Sequence, residues 1–546
     1  MKRFPTVVIC FSCIALLGLF FYTVWFRFFY PYDLEWMEGG VLLHGLRVME
    51  GKPLYAAPTS EFICFIYPPL YYWLLALGGY ITELDYPVGR LVSIVGTLVA
   101  AWAIVSALRY EKAAWPIAFA GGVFFLSTYE DTGAFFDIVR GDGLLIALMA
   151  WSMVWVRRGR LILGGVLLCV AFMTKHNAAI LGFPMMAWLW RYRSTKEAWI
   201  FASASAIPAL LFTGYMEWST DGFFLTYLLG VPAHHPFVAW RFLWLSHHEI
   251  SSALILMSAF MIVLTSFRML TEEDSKKALR FVLYMPILLL VLLLPTELEM
   301  LLSGIPISAV GSKMVGQIAI GVLLWTAVLP LLWWARHLPC REGTRFWLYC
   351  GTVLCFFSAI MRAHHGGYNN VLIPGMWAFS LWGAFAMHWV WTHHGLRILP
   401  AMLIPLQLFI ARWNPDDFIP TAADYRGGEI LMTRLAQIDG PIFAPHSPWY
   451  PVKVGQPPSA HLIAIWDIKH PTGPLAEHVR SLREDIENQR FAAILLANTK
   501  EDYGRKEHYR KTERLRLDEK PAQGRKKALM PKKGWPVRPQ YLFFPK

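Results

Sequence analysis

The acidic and basic side chains that could do chemistry in this 546-residue chain gather at the ends of apolar runs. The first set follows an apolar run from about Val7 to Phe26 and reads Tyr30-Pro31-Tyr32-Asp33-Leu34-Glu35-Trp36-Met37-Glu38-Gly39-Gly40. A carboxylate at a water-lipid boundary is partly desolvated, which raises its proton affinity and suits it to act as a base. Asp33 is the candidate base. Glu35 and Glu38 lie three apart, would share a helix face, and could hold an acceptor, a metal or the helix itself. Asp33 is equally placed to cap a helix from about Leu34 to Glu50, and capping is compatible with catalysis.

Three further sets have the same character. In Asp137-Ile138-Val139-Arg140-Gly141-Asp142-Gly143, an acid opens an apolar run, which is costly unless the acid is paired or useful. Asp142 is therefore a catalytic candidate beside Arg140, with helix capping as the other account. Thr174-Lys175-His176-Asn177 joins two apolar runs, and a cation there suits a lipid-borne phosphate or snorkels to ordinary headgroups. Arg362 through Asn370 combines an arginine able to grip phosphate bidentately, Gly366-Gly367 for close backbone approach, and Tyr368, Asn369 and Asn370 for sugar hydroxyls. The pair His364-His365 could ligate a divalent metal with Asp33 or Glu35, but adjacent histidines point apart, so no cofactor is certain. His234-His235 and His247-His248 carry weaker signals.

The elements that must position these residues are apolar helices. Hydrophobic residues make up 56% of the chain, aromatics 15%, and mean hydropathy is +0.41, which excludes a soluble enzyme and predicts a polytopic membrane protein. The net charge of +12 is read as cytoplasmic loops and contact with anionic lipids, not as nucleic-acid binding. The seven cysteines are scattered and suggest neither a disulfide framework nor a zinc site. Lys2 and Arg3 precede the first apolar run, which reads as an uncleaved span with the N-terminus inside.

Apolar runs and Lys/Arg clusters together predict about thirteen spans. The first ends near Phe29 and is followed by an outside loop, Tyr30–Arg90, whose short Leu70–Ile81 run is a juxtamembrane helix. The next spans cover about Pro87–Leu108, Ala114–Ser127, Asp142–Val156, Leu161–Met173, Ala178–Trp190 and Ala198–Met216. An eighth reaches Phe267, a ninth covers Phe281–Leu294 and a tenth returns to Arg336. The last three run from Phe346 to Met361, back to His393, and over Ile398–Ile410. Composition changes near Arg412, dividing the chain into a membrane part, 1–411, and an extracytoplasmic α/β part, 412–546. In the latter, strands are expected at Pro441–Ala444 and Phe491–Ala497 around a helix between Pro474 and Gln489. Arg505–Lys533 reads as a basic tail, mobile or resting on headgroups.

At these residues the sequence resembles the GT-C membrane glycosyltransferases, in the branch of the protein O-mannosyltransferases and lipid A aminoarabinose transferases (family 39-like). The resemblance rests on Asp33 with Glu35, on Pro68-Pro69-Leu70-Tyr71-Tyr72-Trp73, on Arg90 entering the second span, on Arg140-Gly141-Asp142 and on Thr174-Lys175. Two departures stand out: Leu34 separates acids that the family keeps adjacent, and Tyr67 replaces a lysine before the prolines. The resemblance implies transfer of a sugar from a polyprenyl phosphate to a lipid, glycan or protein acceptor on the outer face of a bacterial inner membrane, in cell-envelope glycan biosynthesis. On this reading Asp33 is the base with Glu35 and Asp142 in the catalytic set, Lys175 and Arg140 match the family pattern and Arg362 joins them on the donor phosphate by its residue type, and Arg47 and Lys52 are secondary candidates for the lysine missing at Tyr67. Glu38, Tyr67, His176, His364, His365, Tyr368 and Asn369 would contact substrate. A transporter or flippase of a lipid-linked sugar would use similar charges without breaking a bond, and a non-catalytic partner docking through residues after Arg412 is a third class.

Overall fold

The computed structural model describes residues 4–238, 240–258, 342–364, 366–392, 397–498, 503–515, 517 and 539–546. Its first nine main helices are α1 (Phe4–Phe28), α2 (Glu38–Met49), α3 (Leu70–Ile81), α4 (Tyr86–Tyr110), α5 (Trp115–Ser127), α6 (Asp142–Arg157), α7 (Leu161–Thr174), α8 (Gly182–Tyr192) and α9 (Thr195–Ser219). Further apolar helices cover Glu342–Ala363, Ile373–Thr392 and Ile398–Ile410.

Five described helical stretches are long and apolar enough to cross a membrane: Phe4–Phe28, Tyr86–Tyr110, Thr195–Ser219, Arg345–Ala363 and Asn369–Thr392. At about 1.5 Å per residue they exceed the roughly 30 Å hydrocarbon thickness or come close to it. α5 and α7, with 13 and 14 residues, do not reach it by length. The expected ninth and tenth spans and the end of the eighth lie outside the described residues, so the count of thirteen stays an expectation.

The first loop carries the two short helices that the sequence predicts, with α3 at the expected residues and α2 starting later than expected, at Glu38. α4 packs on α6, α6 on α7, and α7 on α9, while α1 lies against α5 and Ile398–Ile410. α4 and α6 cross at Gly96 and Gly143, where a Cβ on Gly96 would stand 2.5 Å from the Gly143 carbonyl carbon and one on Gly143 2.5 Å from Ser93 O. Neither position has room for a side chain, and the crossing sets Asp142 beside α4.

After Ile410 the chain forms Ala422–Ala436 and several shorter helices around a four-stranded sheet, order β1-β2-β4-β3, of β1 (Ile442–Phe443), β2 (Ala493–Leu496), β3 (Tyr509–Arg514) and β4 (Tyr541–Pro545). β1 and β2 pair in parallel; β4 pairs antiparallel with β2 and β3. β1, β2 and the helix His478–Glu487 fall within the expected stretches. The start of the basic tail does not behave as a mobile segment: Arg505–His508 is a helical turn and Tyr509–Arg514 is β3. The reason is long-range, since β3 is paired by the apolar strand Tyr541–Pro545 more than twenty residues later. Residues 518–538 of the tail lie outside the described set. Cys10, Cys13, Cys64, Cys169, Cys350 and Cys355 are free thiols.

Candidate active site at the ends of the apolar helices

Arginines at the end of α1 and the start of α4 fix the path of the acid-bearing loop. Arg90 is fully buried; its guanidinium donates to Glu38 (Nε–Oε1 3.0 Å, Nη2–Oε2 2.9 Å) and to the carbonyls of Arg27, Phe28, Tyr30 and Tyr32. Its planar fork satisfies the frayed carbonyls where α1 ends, which a lysine could not do. Glu38 also accepts from the amides of Leu34 (2.6 Å) and Val139 (2.8 Å), so both its oxygens are saturated within the protein. Glu38, expected to contact substrate, is thus a buried staple between the loop, α4 and the Asp137–Arg140 segment. Arg27 forms a parallel staple to Asp137 (Nε–Oδ2 2.7 Å, Nη2–Oδ1 3.1 Å).

Asp33 sits inside this frame, 0% exposed. Its Oδ1 accepts from Tyr86 Oη (2.9 Å) and Gly39 N (3.0 Å), and its own amide donates to Tyr450 Oη (3.2 Å). The Gly39 contact satisfies an amide in the first turn of α2, so Asp33 does support that helix although Met37 is the N-cap residue. Oδ2 is buried and has no hydrogen-bond partner among the described residues. Burial, with the charge of Glu38 adding to it, pushes the Asp33 carboxyl well above the usual carboxylate range, against the pull of Tyr86, Gly39 and Arg90. Glu35 accepts from Met37 N (3.0 Å) and is pushed up to about 7 by burial, with Arg140 opposing.

A second polar cluster lies where α6 begins and α7 ends. Lys175 Nζ donates to Asp142 Oδ1 (2.5 Å), and Asn370 Nδ2 donates to the same oxygen (3.0 Å). Arg140 Nε stands 3.6 Å from Asp142 Oδ2. Asp142 is not a helix cap, because α6 has no side-chain cap bond and its N-cap residue is Gly141. Lys175 also lies over the Tyr67 ring, 4.9 Å from its centre. Burial alone would lower the proton affinity of Arg140, but Glu35, Tyr67 and Asp142 outweigh it and hold the guanidinium firmly charged. Tyr67, Asp142, Lys175, Asn177 and Asn370 line a cavity of ≈ 40 Å³ whose other wall is apolar, with Leu145, Phe357, Met361 and Ile373. Asp142 Oδ2 and Asn177 Oδ1 have no hydrogen-bond partner among the described residues, nor do Tyr72 Oη and His176 Nδ1. Unpaired buried polar atoms are costly, and two of these four, on Asp142 and Asn177, belong to residues that line the cavity.

The remaining expected residues are placed elsewhere or otherwise engaged. Arg362 is paired bidentately with Glu249 (2.9 and 3.0 Å) and donates to Gly367 O (2.8 Å), so its fork is already used. Asn369 donates to Asp131 O (2.8 Å), and Tyr368 packs on Phe135. The His364 ring lies tilted against His235, with centres 4.8 Å apart, and its backbone bridges to Phe237. His365 lies outside the described residues. Arg47 donates to Pro53 O and lies over Phe62, and Lys52 pairs with Glu50 at the surface, so neither touches the Lys175 cluster. Among the described residues no three His, Cys, Asp or Glu side chains converge as metal ligands.

Sequence reasoning passed over Tyr86, Tyr450, His44 and His461. His44 and His461 are buried neutral rings: His44 joins Gly40 O (2.7 Å) to Phe65 N (2.8 Å), and His461 joins Trp36 O (2.9 Å) to Ile463 N (3.0 Å). Burial lowers both to about 3. No local spacing marks them; only the partner brought from a distant segment does.

No protein-family model matches the sequence, and no curated protein matches it. Among solved structures the chain is similar to two of ArnT from Cupriavidus metallidurans, one bound to undecaprenyl phosphate and one in the apo state. For each the identity is 12%, 89% of this chain and 92% of that chain are covered, and the TM-score is 0.49.

Proposed function

We propose that the chain is an integral membrane glycosyltransferase that moves a sugar from a polyprenyl phosphate to a lipid, glycan or protein acceptor on the extracytoplasmic face, with inversion at the anomeric carbon. The observation that carries this reading is the cavity at the start of α6 and the end of α7, a mainly apolar space with a polar edge of Lys175, Asp142, Asn370 and Asn177. A phosphate on a long hydrocarbon chain matches both walls.

Lys175 meets the phosphate. Its ammonium has three donors, one of which is spent on Asp142, and its charge grows in value as negative charge collects on the departing oxygen. Asp142, itself held by Asn370, keeps Lys175 in place, and Arg140 adds a second positive charge. Asp33 takes the acceptor proton on Oδ2, the oxygen left without a partner, while Tyr86 and Gly39 fix the other oxygen. The acceptor oxygen then forms its bond to the anomeric carbon as the carbon–phosphate oxygen bond breaks, and the phosphate leaves without needing an acid. Glu35, beside Arg140, tunes the charge between the two clusters. On this reading residues 1–411 are the membrane-embedded catalytic part and 412–546 face the same side as the cavity, with the N-terminus cytoplasmic.

Purified protein in detergent, given a glycosylated polyprenyl phosphate and an acceptor extract, should release polyprenyl phosphate only when acceptor is present. A transporter would bind the intact donor and release none.

A further inference from the structure

The residues after Ile410 pack along the first loop from end to end. Phe418 O accepts from Arg27 (3.0 Å), and the Tyr32 ring fills the space a side chain on Gly428 would need. Trp449 Nε1 and Lys453 Nζ both donate to Asp85 (3.1 and 2.7 Å), just before α4. Trp449 Cβ stands 2.8 Å from where a Cβ on Gly39 would be, so α2 begins directly against this segment. Ala460 N donates to Ser60 O (2.8 Å), and Arg490 reaches Glu61 (2.6 Å).

Two of these contacts fall on the acid-bearing turn. Tyr450 Oη receives the Asp33 amide (3.2 Å), a buried donor on irregular backbone that no helix or strand satisfies. His461 accepts from Ile463 N on Nδ1, so its proton is on Nε2 and is donated to Trp36 O (2.9 Å). Tyr32 to Trp36 is thus gripped from α4 by Tyr86 and Arg90 and from the segment after Ile410 by Tyr450 and His461. Asp33 Oδ2 is aimed by what fixes the rest of its residue: Tyr86 and Gly39 on Oδ1, Tyr450 on the backbone.

We propose that Trp449–His461 is a brace that positions the acid-bearing loop, with Tyr450 and His461 as positioning residues acting through Asp33 and Trp36, so that the C-terminal part belongs to the working machinery and is not a docking module. The catalytic half of this proposal rests on the transferase reading; the bracing half does not.

Tyr450→Phe removes the acceptor of the Asp33 amide and keeps the ring. His461→Asn keeps a side-chain acceptor for Ile463 N, as asparagine does at helix starts, and loses the bond to Trp36. Hydrogen exchange by mass spectrometry on the full chain in detergent reads the brace. Peptides covering 31–46 should exchange about tenfold faster in either variant, while peptides from α4 and α5 do not change. Unchanged exchange in 31–46 overturns the brace. In the transfer assay kcat should fall by about 10- to 100-fold with donor KM within about twofold, the signature of a misaimed base. Faster exchange with unchanged kcat overturns the positioning role. Faster exchange in the variants of a protein whose wild type transfers no sugar overturns the transferase reading and leaves the brace standing.

Discussion

Asp33→Asn separates a catalytic acid from a structural one, because the two roles predict opposite effects on stability. Asparagine is nearly isosteric and can still accept from Tyr86 and Gly39 through its carbonyl oxygen. It removes a buried negative charge, while its amide nitrogen takes the place of the unpartnered Oδ2, so what is relieved is the charged part of a defect worth about 1–3 kcal/mol. The sign follows from the raised proton affinity of Asp33. A carboxyl raised in the folded state favours folding below its unfolded value, near 4, and loses that contribution as pH rises through the raised value. At pH 8 the variant should therefore be at least as stable as wild type, or about 1 kcal/mol more stable, and the gap should close on acidification. Transfer should fall by about 10²- to 10⁴-fold, the usual worth of a general base. Thermal unfolding in detergent across pH 5–8 with donor-turnover assays reads both. Near-normal turnover refutes the base assignment. A stability loss above about 2 kcal/mol at pH 8 would make Asp33 a structural acid that natural selection keeps for folding.

Lys175→Met strands Asp142 in the interior with Arg140 3.6 Å away and should cost about 3–5 kcal/mol; adding Asp142→Asn should restore stability, read by thermal unfolding, without restoring transfer. Arg90→Gln removes the partner of a fully buried Glu38 and should cost about 3–5 kcal/mol, seen as loss of folded protein on detergent size-exclusion, while Lys52→Gln at the surface should be silent. His44 and His461 are lowered to about 3, so the stability they contribute is present above pH 6.5 and is lost as pH falls towards 3. Each should add a slope of about 1.4 kcal/mol per pH unit below pH 6. His461→Asn should flatten acid unfolding, and an unchanged slope would show that His461 does not resist protonation.

Legibility in the sequence followed the range of the interactions. The Leu70–Ile81 helix and strands near 442 and 494 were readable because apolar periodicity and flanking Pro or charge are local signals. The cluster of Arg140, Asp142 and Lys175 was readable because a charge at the end of an apolar run is expensive wherever the fold puts it. The engagement of Glu38 was not legible because an acid locked on Arg90 and an acid waiting for substrate look the same in one dimension. Arg362 hides its engagement in the same way, since Glu249 is over a hundred residues away. β3 carries mostly charged residues that read as a solvated tail until Tyr541–Pro545 is seen beside it. Tyr450 and His461 had no signal at all, because their role exists only through Asp33 and Trp36, more than four hundred positions earlier.

The central claim is that a lipid-borne phosphate is met by Lys175 at the cavity between α6 and α7. An experimental structure of the protein in lipid nanodiscs with polyprenyl phosphate tests it directly. The account predicts phosphate density within about 3 Å of Lys175 Nζ, the prenyl chain running along Leu145, Phe357 and Met361, and no such density in Lys175→Met. Phosphate seated on Arg362 with Glu249 displaced, or on Arg47 and Lys52, with Lys175 still closed on Asp142, would contradict it.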